Sequence, residues 1–376
     1  MKIVSIEPTP SPNSMKLNLD EKLPPGVKMT YTQENRERAP EQIKKLLEIE
    51  GVKSIFHVAD FIALERRANA DWKAILAQAG EVLGEGTAQS VQAVAQNSQD
   101  DQWQEVNVFV QMFRHIPMQV KVTAGLEQMR VGLPERFTQA AMRAGAASAN
   151  LVMERKWVEQ GVRYGTMQEI GEEVAQELDA AYDTERLEQL VEQAFHFEPA
   201  APEPIETLST EKIAEMLDHP DWKKRYAAFE RLNPTKNDID LLKKALADPK
   251  SSIRRLAVVY LGMVGGEEVF PLLFQALTDD SVSVRRTAGD TLSDLGDPIA
   301  IGPMAKALQD PNKLVRWRAA RFLYEVGDES ALPALREAQD DPEFEVSMQV
   351  KMALERIERG EEASGTVWQQ MTRRNS

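Results

Sequence analysis

The chain has 376 residues, a formal net charge of −15 and no cysteine. Its length exceeds what one ordinary hydrophobic core serves, so two or three domains are expected. The missing cysteines exclude disulfides and thiolate metal or iron–sulfur ligation from within the chain, and the acidic balance disfavours general attraction to nucleic acid.

Residues 1–85 predict a small α+β domain. Short runs of apolar and β-branched residues predict strands, and apolar residues at helical spacing predict helices. These elements are expected at Lys2–Ile6, Pro40–Ile49, Val52–Val58, Phe61–Leu64 and Trp72–Ala79. A further apolar stretch, Leu17–Leu19, has no assigned element.

Four segments near the N-terminus carry a resemblance to a known family. They are EPTPSPNSMK at 7–16, LLEIEGVKSIF at 46–56, DFI at 60–62 and DW at 71–72. Together they resemble the N-terminal domain of Nfu-type iron–sulfur scaffold proteins. That family holds its cluster with a Cys-x-x-Cys pair in a separate C-terminal domain. Because this chain has no cysteine, the resemblance does not extend to holding a cluster.

Residues 100–198 predict a middle domain that is α+β or mostly helical. Valines and a methionine alternate with polar residues in two places, which is typical of half-buried strands. The predicted strands are Val106–Val110 and Met118–Val122, and the predicted helices are Pro134–Met153 and Gly171–Phe195. Gln- and Ala-rich residues 86–100 and Pro-rich residues 198–208 are the candidate linkers.

The C-terminal part of the chain repeats every 31 residues. Asp248, Asp279, Asp310 and Asp341 are separated by this interval. The same interval separates Arg254, Arg285 and Arg316, then Ala257, Ala288 and Ala319, and then Gly265, Gly296 and Gly327. Agreement at several positions of one fixed interval indicates stacked supersecondary units.

Each repeat predicts a helical hairpin. The apolar stripe of the first copy consists of Ile253, Leu256, Ala257, Tyr260, Leu261 and Val264. Gly265 supplies a left-handed residue that ends this helix, and Pro271 lies in the first turn of the next one. Because no hairpin can bury its apolar face alone, four or five are expected to stack over residues 208–360. Residues 361–376 predict a polar tail.

The repeated pattern D-P-x-x-x-V-R-x-x-A-A-x-x-L-x-x-x-G resembles HEAT repeats of the kind shared with phycobilisome lyases. An Nfu-like N-terminus followed by HEAT-like repeats resembles the conserved virulence factor C proteins of Gram-positive bacteria, in order along the whole chain. This resemblance implies an α+β N-terminal part followed by an all-α HEAT-like solenoid. It also implies a regulatory or virulence-related role, without established catalytic residues.

The candidate partner-binding residues lie on the repeats. They are Arg285, Arg316, Trp317, Arg318 and Arg321. The arginines would bind phosphates or an acidic partner, and the tryptophan would anchor an interface. In the alternative, each arginine pairs with the aspartate of a neighbouring turn and the tryptophan fills a gap between hairpins. The aspartates recur in step with the arginines, which favours this structural alternative.

These features favour a non-catalytic scaffold or adaptor that binds protein partners through the solenoid. No histidine stands three or four residues from another, and no convergent set of titratable groups is visible. We therefore predict no catalytic, cofactor-binding or metal-binding residues, and no cofactor. Two alternatives stay open: an accessory factor in iron–sulfur assembly that docks partners without ligating a cluster by cysteine, and an enzyme of unknown reaction in the middle domain.

The sequence also bears on location. No apolar run approaches the roughly 18 residues that a membrane-spanning helix needs. The N-terminal segment MKIVSIEPTP has no apolar core followed by a small-residue cleavage site. We expect a cytoplasmic protein that does not contact membranes and does not bind nucleic acid. The sequence predicts no oligomeric state.

Overall fold

A computed structural model describes residues 1–8, 13–24, 27–67, 70–84, 104–124, 127–196 and 208–361. The chain divides into two compact units, one comprising residues 1–102 and 301–376 and the other residues 103–300. Most of both candidate linkers, and the polar tail after Glu361, lie outside the described residues.

The elements follow in chain order. The strands are β1 (Ile3–Pro8), β2 (Ser14–Leu19), β3 (Lys28–Thr32), β4 (Val52–Val58), β5 (Phe61–Arg66), β6 (Gln104–Phe113), β7 (Ile116–Ala124), β8 (Glu127–Gly132) and β9 (Lys156–Gly165). The helices before the repeats are α1 (Glu41–Glu48), α2 (Trp72–Leu83), α3 (Glu135–Gly145), α4 (Leu151–Glu154), α5 (Met167–Ala181) and α6 (Thr184–Ala194). The repeat helices are α7 (Thr210–Met216), α8 (Trp222–Phe229), α9 (Ile239–Ala245), α10 (Ser251–Val264), α11 (Phe270–Ala276), α12 (Val282–Leu295), α13 (Ile301–Ala307), α14 (Lys313–Val326), α15 (Leu332–Ala338) and α16 (Phe344–Glu358).

The N-terminal part of the first unit is an antiparallel sheet with helices α1 and α2. Its strand order is β1-β2-β5-β4-β3. Met15, Leu17 and Leu19 of β2 are buried and alternate with half-buried polar residues, as expected for a strand with one face on a core. Ile43 of α1 and Trp72 of α2 belong to the same core. The expected α+β N-terminal part is confirmed.

The same unit contains helices α13 to α16, which pack as successive repeats. The last of them also contacts the N-terminal domain. Phe344 and Met348 of α16 pack against the core of that domain. Arg66 at the end of β5 forms an ion pair with Glu345, and both side chains are largely buried. The repeat helix is therefore joined to the α+β domain by apolar and ionic contacts.

The second unit begins with a four-stranded antiparallel sheet in the order β8-β7-β6-β9. Val106, Val108, Val120 and Val122 form its buried face, against which Val174 of α5 packs. Both strands predicted for this region are present. The strands β8 and β9 have no counterpart among the predicted elements.

Two helices that the sequence predicts as continuous are interrupted. The expected helix Pro134–Met153 is divided into α3 and α4, because the Asn150 side chain accepts a hydrogen bond from Met153 N and so caps a new helix. The expected helix Gly171–Phe195 is divided into α5 and α6, where Asp183 caps the second part through Arg186 N.

The long repeat helices end at glycines in two different ways. Gly265 and Gly296 have φ angles of 60° and 62°, so both lie in the left-handed region predicted from the sequence. Gly327 has a φ angle of −59°, and the left-handed prediction is wrong there. A Cβ atom at Gly327 would collide with the carbonyl oxygen of Leu323. Glycine is required at position 327 because there is no room for a side chain, and not because the backbone is left-handed.

Candidate functional site

Arginines near the start of the long repeat helices hold the aspartates of the following turns. The hydrogen-bonded pairs are Arg225 with Asp248 at 2.7 and 2.9 Å, Arg254 with Asp279 at 2.7 and 2.8 Å, and Arg316 with Asp341 at 2.7 and 3.1 Å. Each guanidinium also donates to backbone carbonyls of the turn before its own helix. Such bidentate pairs fix geometry as well as contributing energy. The structural pairing expected from the sequence is confirmed for Arg254 and Arg316, and Arg225 forms a third pair of the same kind.

The candidate partner-binding residues lie among these contacts. Arg285 is buried and donates to the carbonyls of the turn before its helix, and Arg321 donates to Glu325 at 2.7 Å. Trp317 is 3% exposed, which places its ring in the core. Arg318 is half-buried, with its guanidinium carbon 5.5 Å from the centre of the Trp317 ring. Arg316, the fifth candidate, is bound to Asp341. Partner binding by these five side chains stays a prediction.

In residues 103–300, the long repeat helices pack against the middle domain. Helix α5 packs along α8, and β9 packs against α12. Ser252 of α10 donates a hydrogen bond to Glu173 of α5 at 2.9 Å. Arg286 of α12 is almost fully buried, with its guanidinium carbon 4.2 Å from the centre of the Tyr164 ring. The face formed by α8, α10 and α12 therefore holds a folded part of the same chain.

A cavity of about 1240 Å³ lies where the middle domain meets these repeats. Strands β6 and β9 and helices α5, α6, α8 and α10 contribute to its lining. Its apolar lining includes Val110, Val158, Val174, Leu178 and Leu256. Its charged lining includes Arg163, Arg186, Arg231, Arg255, Glu177 and Glu230. An apolar pocket with a few convergent polar groups is the usual form of a ligand site.

The charged groups are concentrated on one buried cluster. Arg163 of β9 donates to both carboxylate oxygens of Glu177 of α5, at 3.2 and 2.8 Å. The Tyr226 hydroxyl of α8 lies near Glu177 and helps to lower the pKa of that carboxyl group. Arg255 of α10 approaches the same carboxylate, with 3.9 Å between Nη2 and Oε1. Two consecutive elements of the middle domain, β9 and α5, and two repeat helices, α8 and α10, thus meet at a single carboxylate.

The groups of this cluster keep their protonation states at neutral pH. Burial alone would raise the pKa of Glu177, but attraction by Arg163 and Arg255 outweighs it and lowers the pKa below its usual range. Burial and the neighbouring Glu177 raise the pKa of Tyr226 well above its usual value. Glu177 is therefore ionised and Tyr226 is protonated throughout the neutral range. A general acid or base works best with a pKa near the working pH, so the cluster is better suited to binding.

Sequence reasoning did not find this cluster. Arg163 lies on β9, a strand that was not predicted, and Glu177 lies among many charged residues of a predicted helix. Arg255 stands beside the repeated Arg254, and the spacing gives no reason to separate their roles. The available signal was weak: a second arginine follows the repeated one at 255 and 286, but Trp317 occupies the equivalent position of the third copy.

Within the described ranges, no set of three or more His, Asp and Glu side chains is placed to hold a metal ion. No helix in those ranges is long and apolar enough to cross a membrane.

Three family profiles match the chain. Residues 4–90 match the N-terminal part of the scaffold proteins Nfu and NifU, residues 111–191 match a family described as virulence factor, and residues 210–293 and 270–355 match HEAT repeats. The chain is 45% identical to conserved virulence factor C of Staphylococcus haemolyticus, over 100% of both proteins. This chain belongs to the conserved virulence factor C family. The resemblance stated from the sequence is therefore confirmed, as is the fold class.

Further similarities lie within and beyond this family. The chain is 59% identical to the uncharacterized protein YpgR of Bacillus subtilis, over 99% of this chain and 98% of that protein. Among solved structures, protein SAV1430 of Staphylococcus aureus is 41% identical and is matched over 22% of this chain and 98% of its own, with a TM-score of 0.21.

Proposed function

We propose that this member of the conserved virulence factor C family is a non-catalytic scaffold or adaptor that binds protein partners through its HEAT-like repeats. The proposal includes a regulatory or virulence-related role, a cytoplasmic location and the domain division at 1–85, 100–198, 208–360 and 361–376. Nucleic acid and membranes are not among the proposed partners.

The observation that supports the proposal most is the use of the repeat helices as protein-binding surfaces within the chain. In one unit, α8, α10 and α12 hold the middle domain through α5 and β9. In the other, α16 holds the N-terminal domain through Phe344, Met348 and the ion pair of Glu345 with Arg66. Helical repeats provide extended binding surfaces, and here they already bind two folded domains.

The charge of the chain bears on the kind of contact surface that a partner would have. Three repeat arginines are bound to aspartates of neighbouring turns, so they contribute little positive charge to the surface. The chain as a whole carries a net charge of −15. An uncharged contact surface on the partner would fit this charge, because like charges placed opposite each other at an interface are unfavourable.

Affinity purification of the tagged full-length chain from its native host, with quantitative mass spectrometry, tests the proposal. We expect one or a few proteins enriched far above a tag-only control. Arg318→Glu should reduce their recovery, because Arg318 is a half-buried predicted contact on a long repeat helix. Lys306→Glu makes the same charge change on the short helix α13, at an exposed site, and should leave recovery unchanged.

The thermal midpoint of both variants shows whether the fold is kept. If Arg318→Glu lowers the thermal midpoint, Arg318→Gln is used in its place. Recovery of no protein above the control, from cells grown in several conditions, would count against a scaffold. Equal recovery with Arg318→Glu and the unaltered chain would leave the scaffold role standing and remove Arg318 from the contact surface.

A further inference from the structure

Arg255 differs from the other repeat arginines in what surrounds its guanidinium group. It is 8% exposed, and it makes no hydrogen bond with any residue that the structure describes. Its nearest carboxylate is Glu177 at 3.9 Å, which already accepts two hydrogen bonds from Arg163. Arg255 nevertheless lines the 1240 Å³ cavity. A buried cation is thus directed at a space large enough for a ligand.

Such an arrangement is unfavourable in the protein alone. A guanidinium has five N–H donors and stays protonated in proteins. Burying an ionised group without acceptors costs free energy, because its hydration is lost and nothing replaces it. Of the Arg255 nitrogens, only Nε is fully buried without a partner. The terminal nitrogens lie on the side of the cavity, where an anion would supply the acceptors that they lack.

The carboxylates around Arg255 are held by other groups. Glu177 accepts two hydrogen bonds from Arg163, and Glu230 is paired with Arg186 at 3.3 Å. The nearby Glu173 accepts a hydrogen bond from Ser252. None of these three carboxylates forms a hydrogen bond with Arg255. The Arg255 guanidinium therefore remains available to a negatively charged group in the cavity.

The shape and lining of the cavity define the rest of the ligand. Ligand cavities typically measure about 300–1,000 Å³, so this one has room for more than a bare inorganic ion. Val110, Val158 and Val174 face it from the sheet and α5, and Leu256 faces it from α10. These side chains favour a ligand with an apolar body.

We infer that this cavity binds an organic anion, whose carboxylate or phosphate group is held by Arg255 beside Arg163 and whose apolar body packs against the valines and Leu256. The site serves binding without a chemical step. It is independent of the proposed scaffold function, because a ligand in the cavity and a protein on the repeats are measured by different experiments.

Calorimetric titration of the full-length chain with decanoate, decyl phosphate, decanol and inorganic phosphate tests the inference. We expect saturable binding, at one site per chain, of decanoate, decyl phosphate or both. The two probes distinguish a carboxylate ligand from a phosphate ligand. Decanol carries the same apolar body without a charge and should bind at least about ten-fold more weakly. Inorganic phosphate lacks the apolar body and should also bind more weakly.

Two neighbouring arginines supply matched variants. Arg255→Met should weaken binding of the anionic probe by at least about ten-fold while the thermal midpoint is kept. Arg254→Met removes the same group one residue earlier, where it holds Asp279, and should lower the thermal midpoint without weakening binding. Arg255→Lys, which keeps the charge but loses the forked donors, provides a second variant if Arg255→Met fails to fold, and should also weaken binding.

Three results would overturn the inference. They are the absence of saturable binding by both anionic probes, equal affinity for decanol and decanoate, and unchanged affinity in both Arg255 variants. None of these results would affect the capture of a protein partner by the repeats.

Discussion

Arg254 and Arg255 are consecutive residues of one helix, and their guanidinium groups have opposite surroundings. Arg254 donates to both carboxylate oxygens of Asp279 and to the carbonyls of Asp248 and Pro249. Arg255 is buried without a hydrogen bond to any described residue. Adjacent helical residues point about 100° apart, so one faces the next repeat and the other faces the cavity. The two arginines therefore serve different purposes.

This difference predicts opposite effects on stability. Arg254→Met should lower the free energy of unfolding by roughly 2–4 kcal/mol, because it leaves the Asp279 carboxylate partly buried without its partner. Arg255→Met should change it by less than about 1 kcal/mol, because it removes a buried charge that has no hydrogen bond. Urea denaturation of the three proteins measures both values. Equal losses in the two variants would contradict the distinction.

Glu177 is predicted to be the most sensitive carboxylate of the cavity. Glu177→Gln should lower the free energy of unfolding by roughly 3–5 kcal/mol, because Arg163 and Arg255 would lose the charge that attracts both. The exposed Glu172 on the same helix provides the control, and Glu172→Gln should have an effect below about 0.5 kcal/mol. A small effect at Glu177, measured by the same denaturation, would show that the cluster is not held by this carboxylate.

The burial of His57 leads us to predict that stability depends on pH. It is buried on β4, and burial lowers its pKa from the ordinary value of 6.5. The unfolded chain takes up a proton near pH 6.5 that the folded chain takes up only at lower pH, so stability should fall as the pH drops below about 6.5. Denaturation at about pH 7.5 and pH 5.5 should show a smaller difference for His57→Gln than for the unaltered chain. The exposed His196, changed to Gln, is the control and should leave the difference as it is.

Replacing two glycines by alanine should change stability in opposite directions. Gly327→Ala should lower the thermal midpoint, since its Cβ would collide with the backbone of Leu323. Gly302 lies within α13, and a Cβ there would meet nothing within 4 Å. Gly302→Ala should therefore stabilise the protein, by about 0.5–1 kcal/mol, because alanine is the better helix former. A gain in stability from Gly327→Ala would contradict the steric explanation for that glycine.

The repeats could be predicted from the sequence because their constraints recur. Asp279 and Asp341 each bind an arginine 25 residues earlier in the chain, so the same pairing appears as a periodic pattern. Two strands at the edges of the sheets, β3 and β9, have no repeated pattern of this kind. In β3, Met29 and Tyr31 alternate with polar residues, but the run is only five residues long and only Tyr31 is buried. Most of β9 is exposed or half-buried, and its apolar residues do not alternate regularly with polar ones.

The cavity could not be predicted, because it depends on contacts between distant segments. Arg163, Glu177, Tyr226 and Arg255 belong to four elements, and their spacing in the sequence follows no motif. Burial decides their chemistry, and burial is a property of the packed chain. The tryptophan of the candidate partner-binding set illustrates the same point. The sequence favoured a core position for Trp317 over an interface, and the packing places it in the core.

The proposed scaffold function is tested most directly by cross-linking the full-length chain to its captured partner and identifying the linked lysines by mass spectrometry. Exposed lysines are available on the repeats, at Lys224, Lys243, Lys306 and Lys351, and on the N-terminal domain, at Lys28 and Lys45. We predict that links to the partner concentrate on the repeat lysines. Links confined to Lys28, Lys45 and their neighbours would contradict a partner held by the repeats.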